Sequence, residues 1–103
     1  MATRFTLNEL VFKAIADGTR RDILDGLAAG PRRATDIAAD YDAARPTIVK
    51  HLRMLEQAGL VRVKASGRER RYYLQSAGLK RVDAWLATYR TVWEARRVLR
   101  ERS

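Results

Sequence analysis

No cysteine occurs in this 103-residue chain. Its absence excludes disulfides, thiolate metal sites and cysteine nucleophiles, and leaves the redox compartment open. Histidine is nearly as scarce, since His51 stands alone. There is no Gly-rich phosphate loop and no acid pair at a position that a fold would make concave, so the inventory disfavours an enzyme and no cofactor is expected. No apolar run reaches the roughly 18 residues of a membrane span, and Met1-Ala2-Thr3-Arg4 leads into no apolar signal core. The expectation is a soluble, cytoplasmic protein. Repeats, linkers and low-complexity segments are missing too. One domain, residues 1–103, fits this length, with a modest core that a partner chain helps to complete.

Positive charge is abundant and unevenly placed. Residues 45–71 hold eight Lys or Arg against two acids, residues 1–44 hold six against seven, and the stretch from Lys80 onward holds seven against three. Cations gathered on one stretch are the footprint of phosphate binding, because each one that meets a phosphate releases condensed counterions. A solvated basic surface is the plainer reading, and it has less to say about where the charge falls.

Two elements carry that charge. A helix expected over 45–58 begins at a proline in its first turn, Pro46, and ends before Gly59, a residue suited to a C-terminal cap. At about 100° per residue, Ile48, Leu52 and Leu55 share one face, while Pro46, Val49, Lys50 and Arg53 share the opposite one. A hairpin follows over 60–74, its strand-favouring residues flanking the turn Ser66-Gly67-Arg68-Glu69. A cationic helix beside a cationic hairpin is what DNA binding by a winged helix-turn-helix requires.

The remaining pattern is helical. Helix 1 is expected over 5–17 from Leu7, Leu10, Val11, Ala14 and Ile15. Helix 2, over 19–29, has Thr19 as its candidate cap and stops at Gly30-Pro31, and a short helix 3, over 35–41, has Thr35. A short helix, a tight turn and a longer basic helix is the helix-turn-helix order. The last helix, 77–102, spreads Leu79, Val82, Trp85, Leu86, Tyr89, Val92, Trp93 and Leu99 over roughly 160°, wider than the stripe of about 100° that one core covers. We read it as shared with a second subunit, because two exposed tryptophans on so small a protein invite association. The fold class is thus mostly α with a small β-hairpin wing, dimeric through its terminal helices. The interface residues expected are Leu7, Val11, Trp85, Tyr89, Val92, Trp93 and Leu99. The alternative is a helix packed only on its own domain, with a tryptophan partly exposed.

The segments Phe12-Lys13-Ala14-Ile15-Ala16-Asp17-Gly18-Thr19-Arg20-Arg21-Asp22-Ile23-Leu24, Pro46-Thr47-x-x-Lys50-His51-Leu52-x-x-Leu55, Ala58-Gly59-Leu60-Val61 and Gly67-Arg68 before Arg71-Tyr72-Tyr73-Leu74 resemble the ArsR family of winged helix-turn-helix repressors. The resemblance runs in unbroken order over residues 10–75. It implies a bacterial or archaeal homodimer that binds operator DNA and leaves it when an effector binds. The tail Trp85-Leu86-x-x-Tyr89-Arg90-x-x-Trp93-Glu94 looks like the last helix of a cysteine-poor branch. Three departures stand out: Gly18 where the family often has proline, Ala44 where a serine usually caps the recognition helix, and Val49 where a DNA-facing serine is frequent. A missing cap oxygen costs roughly 1 kcal/mol. Valine cannot hydrogen-bond a base edge but suits a thymine methyl. Metal sensing in this family would need cysteines, or a mixed Asp/His/Glu set on the last helix. Here that helix offers Asp83, Glu94 and Glu101 without a histidine, a poor zinc site. The effector therefore has no readable chemistry.

Arg45 and Lys50 are expected at base edges, with guanine favoured, and Arg53 at phosphate. Thr47 suits either a phosphate or simple capping. Arg68, Arg70 and Arg71 would set the wing on a phosphate backbone or in the minor groove. Strand alternation turns Arg70 and Tyr72 one way and Arg71 and Tyr73 the other, so the three arginines cannot all touch DNA at once. Arg20 and Arg21 fit backbone contacts or ion pairs with Asp17 or Asp25, Arg20 being the one placed in the DNA-contact set. His51, and the two tyrosines, read better as structural residues than as a ligand or as stacking platforms. The reading that joins these is a homodimeric, sequence-specific DNA-binding regulator, a repressor acting on an inverted repeat of double-stranded DNA. Its rival is a winged helix used as a protein-interaction module with only non-specific nucleic-acid affinity. Double-stranded RNA is a weaker third, since its deep major groove does not admit a helix.

Overall fold

A computed structural model describes residues 6–102. Its elements are α1 (Leu7–Ile15), α2 (Gly18–Ala28), β1 (Arg32–Arg33), α3 (Ala34–Ala39), α4 (Arg45–Gln57), β2 (Val61–Ser66), β3 (Glu69–Leu74) and α5 (Ser76–Arg102). Residue 5, the expected start of helix 1, lies outside the described residues. Thr6 caps α1 through a reciprocal pair: Glu9 N–H donates to Thr6 Oγ1 at 3.2 Å and Thr6 N–H donates to Glu9 Oε2 at 2.7 Å. Such a box satisfies two end donors at once.

Three expected local features are corrected. Asp17, not Thr19, caps α2: its backbone is extended and its carboxylate accepts the Arg20 N–H at 3.0 Å. An ionised oxygen is the stronger acceptor, and Thr19 falls inside the first turn. Thr35 is likewise inside α3, whose N-cap Arg33 makes no side-chain capping bond. The reason is that Arg32 and Arg33 form a strand that runs straight into the helix. This strand, not expected from the sequence, pairs antiparallel with Tyr72 and Arg71 of β3. The sheet therefore has three strands in the order β1-β3-β2, and β2 and β3 pair from Val61↔Leu74 to Ser66↔Glu69.

The core is built around α4. Ile48, Leu52 and Leu55 are fully buried among Ile23 and Leu27 of α2, Ile37 of α3, and Leu60, Val61 and Tyr72 of the wing's root. Val11, expected at the interface between chains, belongs to this core with no exposed surface, so no second chain reaches it. The α4 helix ends in a double-bonded turn, in which Gly59 N–H donates to Glu56 O and Leu60 N–H to Leu55 O. That turn requires the left-handed backbone that Gly59 supplies at φ 72°. Helices, tight turn and three-stranded wing together make a winged helix-turn-helix.

Helix α5 packs on α1, where Trp85 meets Phe12 edge-on at 5.2 Å, and it extends the molecule to 60 × 33 × 24 Å. Trp85, Tyr89, Val92 and Trp93 remain 47–49% exposed, and Leu7 and Leu99 more so.

Asp17 also gives the fold a pH dependence. The Arg20 backbone N–H holds its carboxyl below the ordinary aspartate value, with the Arg20 and His51 charges adding to the effect. A carboxyl lowered in this way stabilises the fold above its unfolded pKa and ceases to do so as pH falls through the folded one. Asp17→Ala should therefore melt below the unsubstituted chain at pH 7, with the gap narrowing as pH falls from about 4 toward 2. Thermal unfolding followed by circular dichroism across that window measures it. A gap that ignores pH would reduce Asp17 to an uncharged cap.

Candidate nucleic-acid interface

Burying one side of α4 dictates what the other side shows. Arg45, Pro46, Thr47, Lys50 and Arg53 are exposed and Val49 half-buried, and Arg45, Pro46, Val49, Lys50 and Arg53 line an open groove of about 550 Å³. No acid lies in the first turn of α4. The N-cap is Ala44 and makes no side-chain bond; instead Thr47 N–H donates to Ala44 O at 2.9 Å. That backbone bond engages a donor which the missing serine would otherwise have satisfied, and Pro46 has none to offer.

Beside this groove, a cleft of about 440 Å³ separates α4 from the wing. Arg45 and Val49 form one wall, Arg68 and Arg70 the other, and Arg33 and Thr35 stand at the α3 end. Tyr72, buried, lies on the same wall as Arg70. Arg71 does not line this cleft; its guanidinium lies 3.7 Å from the Glu69 carboxylate. The structure thus groups Arg45, Val49, Arg68 and Arg70 around one opening and Lys50 and Arg53 along the adjoining groove.

Arg20 stands apart from both. Its Nε donates to Ala14 O at 2.7 Å, one terminal nitrogen to Lys13 O at 3.0 Å, and the other meets His51 Nδ1 at 3.1 Å. Arginine carries only donors, so this contact is a hydrogen bond when Nδ1 carries no proton. Asp17 lies 4.0 Å from the same nitrogen. Arg20, expected at DNA, thus has its side-chain donors engaged within the chain, where they tie the end of α1 to α4. Arg21 follows suit, donating to Ile15 O at 2.8 Å.

The helix-turn-helix angle is braced by polar pairs. Arg32 bridges Asp36 O at 3.0 Å and the Asp40 carboxylate at 2.8 Å, holding β1 to both turns of α3. Tyr41 O–H donates to Asp22 at 2.7 Å and ties the turn to α2; burial first, then Asp22, pushes this phenol up to about 12. Arg33 binds both oxygens of Asp36 and one of Glu69, which keeps its guanidinium more firmly protonated than a free arginine. Arg33 escaped sequence reasoning because a two-residue strand has no periodicity, and Thr35 and Glu69, read there as a cap and a turn residue, line the cleft only through the pairing of that strand with β3. The available signal was Glu69 itself, the sole acid between residues 60 and 75. Among the described residues no three metal-ligating side chains converge, and no helix is long and apolar enough to cross a membrane.

This fold and this cationic helix-and-wing surface define a winged helix-turn-helix DNA-binding protein. Comparison with known proteins sharpens the class. The model of the bacterial regulatory protein arsR family matches residues 17–63. The HTH-type transcriptional regulator Rv2034 of Mycobacterium tuberculosis is 41% identical over 68 residues, 66% of this chain and 64% of that protein. The chain thus spans just under two thirds of that relative's length. The transcriptional repressor SdpR of Bacillus subtilis is 38% identical over 79 residues, 77% of this chain and 88% of that protein. A crystal structure of an ArsR family transcriptional regulator superposes with a TM-score of 0.79 at 35% identity, covering 91% of this chain and 97% of that one. The solution structure of the homodimeric winged helix-turn-helix DNA-binding domain of Mb0332 from Mycobacterium bovis gives 0.64 at 30% identity, covering 85% and 79%. The chain belongs to the ArsR family of transcriptional regulators. Its family is one of regulators, not enzymes.

Arg20→Ala should cost the fold about 2 kcal/mol, since it breaks charge-assisted hydrogen bonds in a partly buried site. It should leave the salt dependence of DNA binding unchanged, whereas Arg53→Ala lowers the slope by about one counterion. Denaturant unfolding and salt titrations of affinity separate the two effects. A reduced slope for Arg20→Ala would return that residue to the DNA backbone.

Proposed function

We propose that the chain is a homodimeric repressor that sets two copies of α4 in successive major grooves of an inverted-repeat operator, with both wings on the flanking backbone. The observation that carries this reading is the groove along α4, where Arg45, Lys50 and Arg53 stand opposite the buried face with no acid in the first turn. Arg45 and Lys50 reach guanine edges, Val49 meets a thymine methyl, and Arg53 with Pro46 and Thr47 follows the backbone. Two-fold symmetry then puts the half-sites about 10 bp apart, centre to centre, or a multiple of that. A regulator of this kind works on the chromosome, in the cytoplasm. An effector that releases it is compatible with the family, without an assigned chemistry.

The half-exposed stripe Trp85, Tyr89, Val92 and Trp93, extended by Leu7 and Leu99, supports dimerisation through α1 and α5. Four large aromatic or branched side chains left in water on one helix are the profile of an unpaired interface. The described homodimer of the Mycobacterium bovis domain and the named repressor of Bacillus subtilis favour the same assembly and sign of regulation.

Selection of duplexes from a random DNA pool by purified protein, at two salt concentrations, tests the whole. An inverted repeat that survives the higher salt is the expected result. Enrichment of nothing, with binding lost as salt rises, would leave counterion release alone and favour a protein-interaction module. Lys50→Ala should weaken binding to the selected site by about 1–3 kcal/mol and relax its choice at one base pair. Equal loss on selected and random duplexes would move Lys50 to the phosphates. Trp93→Arg should give monomers in sedimentation; an unchanged dimer mass would overturn the interface.

A further inference from the structure

A carboxylate in a surface built for phosphate opposes binding unless it holds something in place. Glu69 is that carboxylate, at the base of the wing's turn. The backbone supports the wing only as far as Arg71, because β1 pairs with Tyr72 and Arg71 and no further. Beyond them, Ala65↔Arg70 and Ser66↔Glu69 pair with each other alone. A two-stranded ribbon of this kind is marginal in water. Its tip is fastened by side chains: Glu69 Oε1 accepts from Arg33 at 2.9 Å, and Glu69 Oε2 lies 3.7 Å from Arg71. Arg33 is itself aimed by Asp36, which it grips at 2.9 and 3.2 Å.

We propose that Glu69 is a positioning residue for DNA binding, a latch that ties the wing tip through Arg33 to the first turn of α3 and so sets Arg68 and Arg70 across the cleft from Arg45. The inference rests on the DNA-binding reading. Its signature is one of sign. A merely repulsive carboxylate, once neutralised, leaves tighter binding; a latch, once opened, leaves weaker binding because the wing arginines must be ordered anew.

The full chain carries the test, with Glu69→Gln, Arg33→Gln and their combination. All of these side chains are more than 40% exposed, so folding is retained. Glu69→Gln should bind the selected duplex about threefold to fivefold more weakly, the range that an exposed ion pair supports. Arg33→Gln should match it, and the double variant should lose little more than either single one. Without DNA, amide exchange at Ser66, whose ladder partner is residue 69, should quicken by a similar factor in Glu69→Gln once divided by the intrinsic rate of each sequence, a ratio that a purely electrostatic role does not move. Tighter binding by Glu69→Gln, additive losses, or unaltered wing exchange would each overturn the latch. If the unsubstituted chain fails to hold double-stranded DNA, the DNA reading falls, and the exchange measurement still reports whether the latch exists.

Discussion

Everything on the cationic side of this protein depends on α4 being unable to turn about its axis. Ile48, Leu52 and Leu55 lie at helical spacing and are fully buried, and burial of each large aliphatic side chain is worth about 1.5–3 kcal/mol. Rotating the helix by one residue, about 100°, would bring that face toward water and carry Lys50 and Arg53 toward the core. The hydrophobic seam therefore aims Arg45, Lys50 and Arg53, for which no ion pair is seen among the described residues. Arg20 adds a polar stop on the flank through His51, and the Tyr41–Asp22 and Arg32–Asp40 pairs keep α2 and α3 from shifting beneath it.

The acids complete this arrangement by where they are engaged. Asp17 caps α2, Asp22 holds Tyr41, Asp36 holds Arg33 and Asp40 holds Arg32. Two of these contacts, Asp36 with Arg33 and Asp40 with Arg32, pair opposite charges, whereas among the described residues no ion pair falls on Arg45, Lys50 or Arg53 of α4. A sequence count shows only the net excess.

Periodicity made the helices and the buried face of α4 legible in the sequence, because burial on one side writes a 3.6-residue repeat that a single chain displays without its neighbours. It failed where tertiary contact decides. Val11 shares its spacing with Leu7 and Leu10, and nothing local says that the core closes over Val11 while Leu7 stays half in water. Thr19 and Thr35 have the chemistry of caps but not the backbone position, which belongs to Asp17 in one case and to a strand end in the other. Strand β1 is two residues long and exists only because β3 offers it an edge. Arg20 looked like a surface cation because the three acceptors that claim it come from α1 and α4, six to 31 residues away.

The close approach at the root of α5 has a mechanical meaning. Gly78 N–H donates to Gly59 O at 2.9 Å and Gln75 N–H to Leu60 O at 2.9 Å, and a Cβ at position 78 would lie 2.8 Å from Ala58 O. The segment that follows α4 and the first turn of α5 are therefore in backbone-to-backbone contact, with Leu60 Cδ2 against the same spot, also 2.8 Å from that Cβ. The junction has a long arm on one side: α5 extends about 40 Å from it at 1.5 Å per residue, so the angle set where Gly78 meets Gly59 decides where the far end of the helix lies.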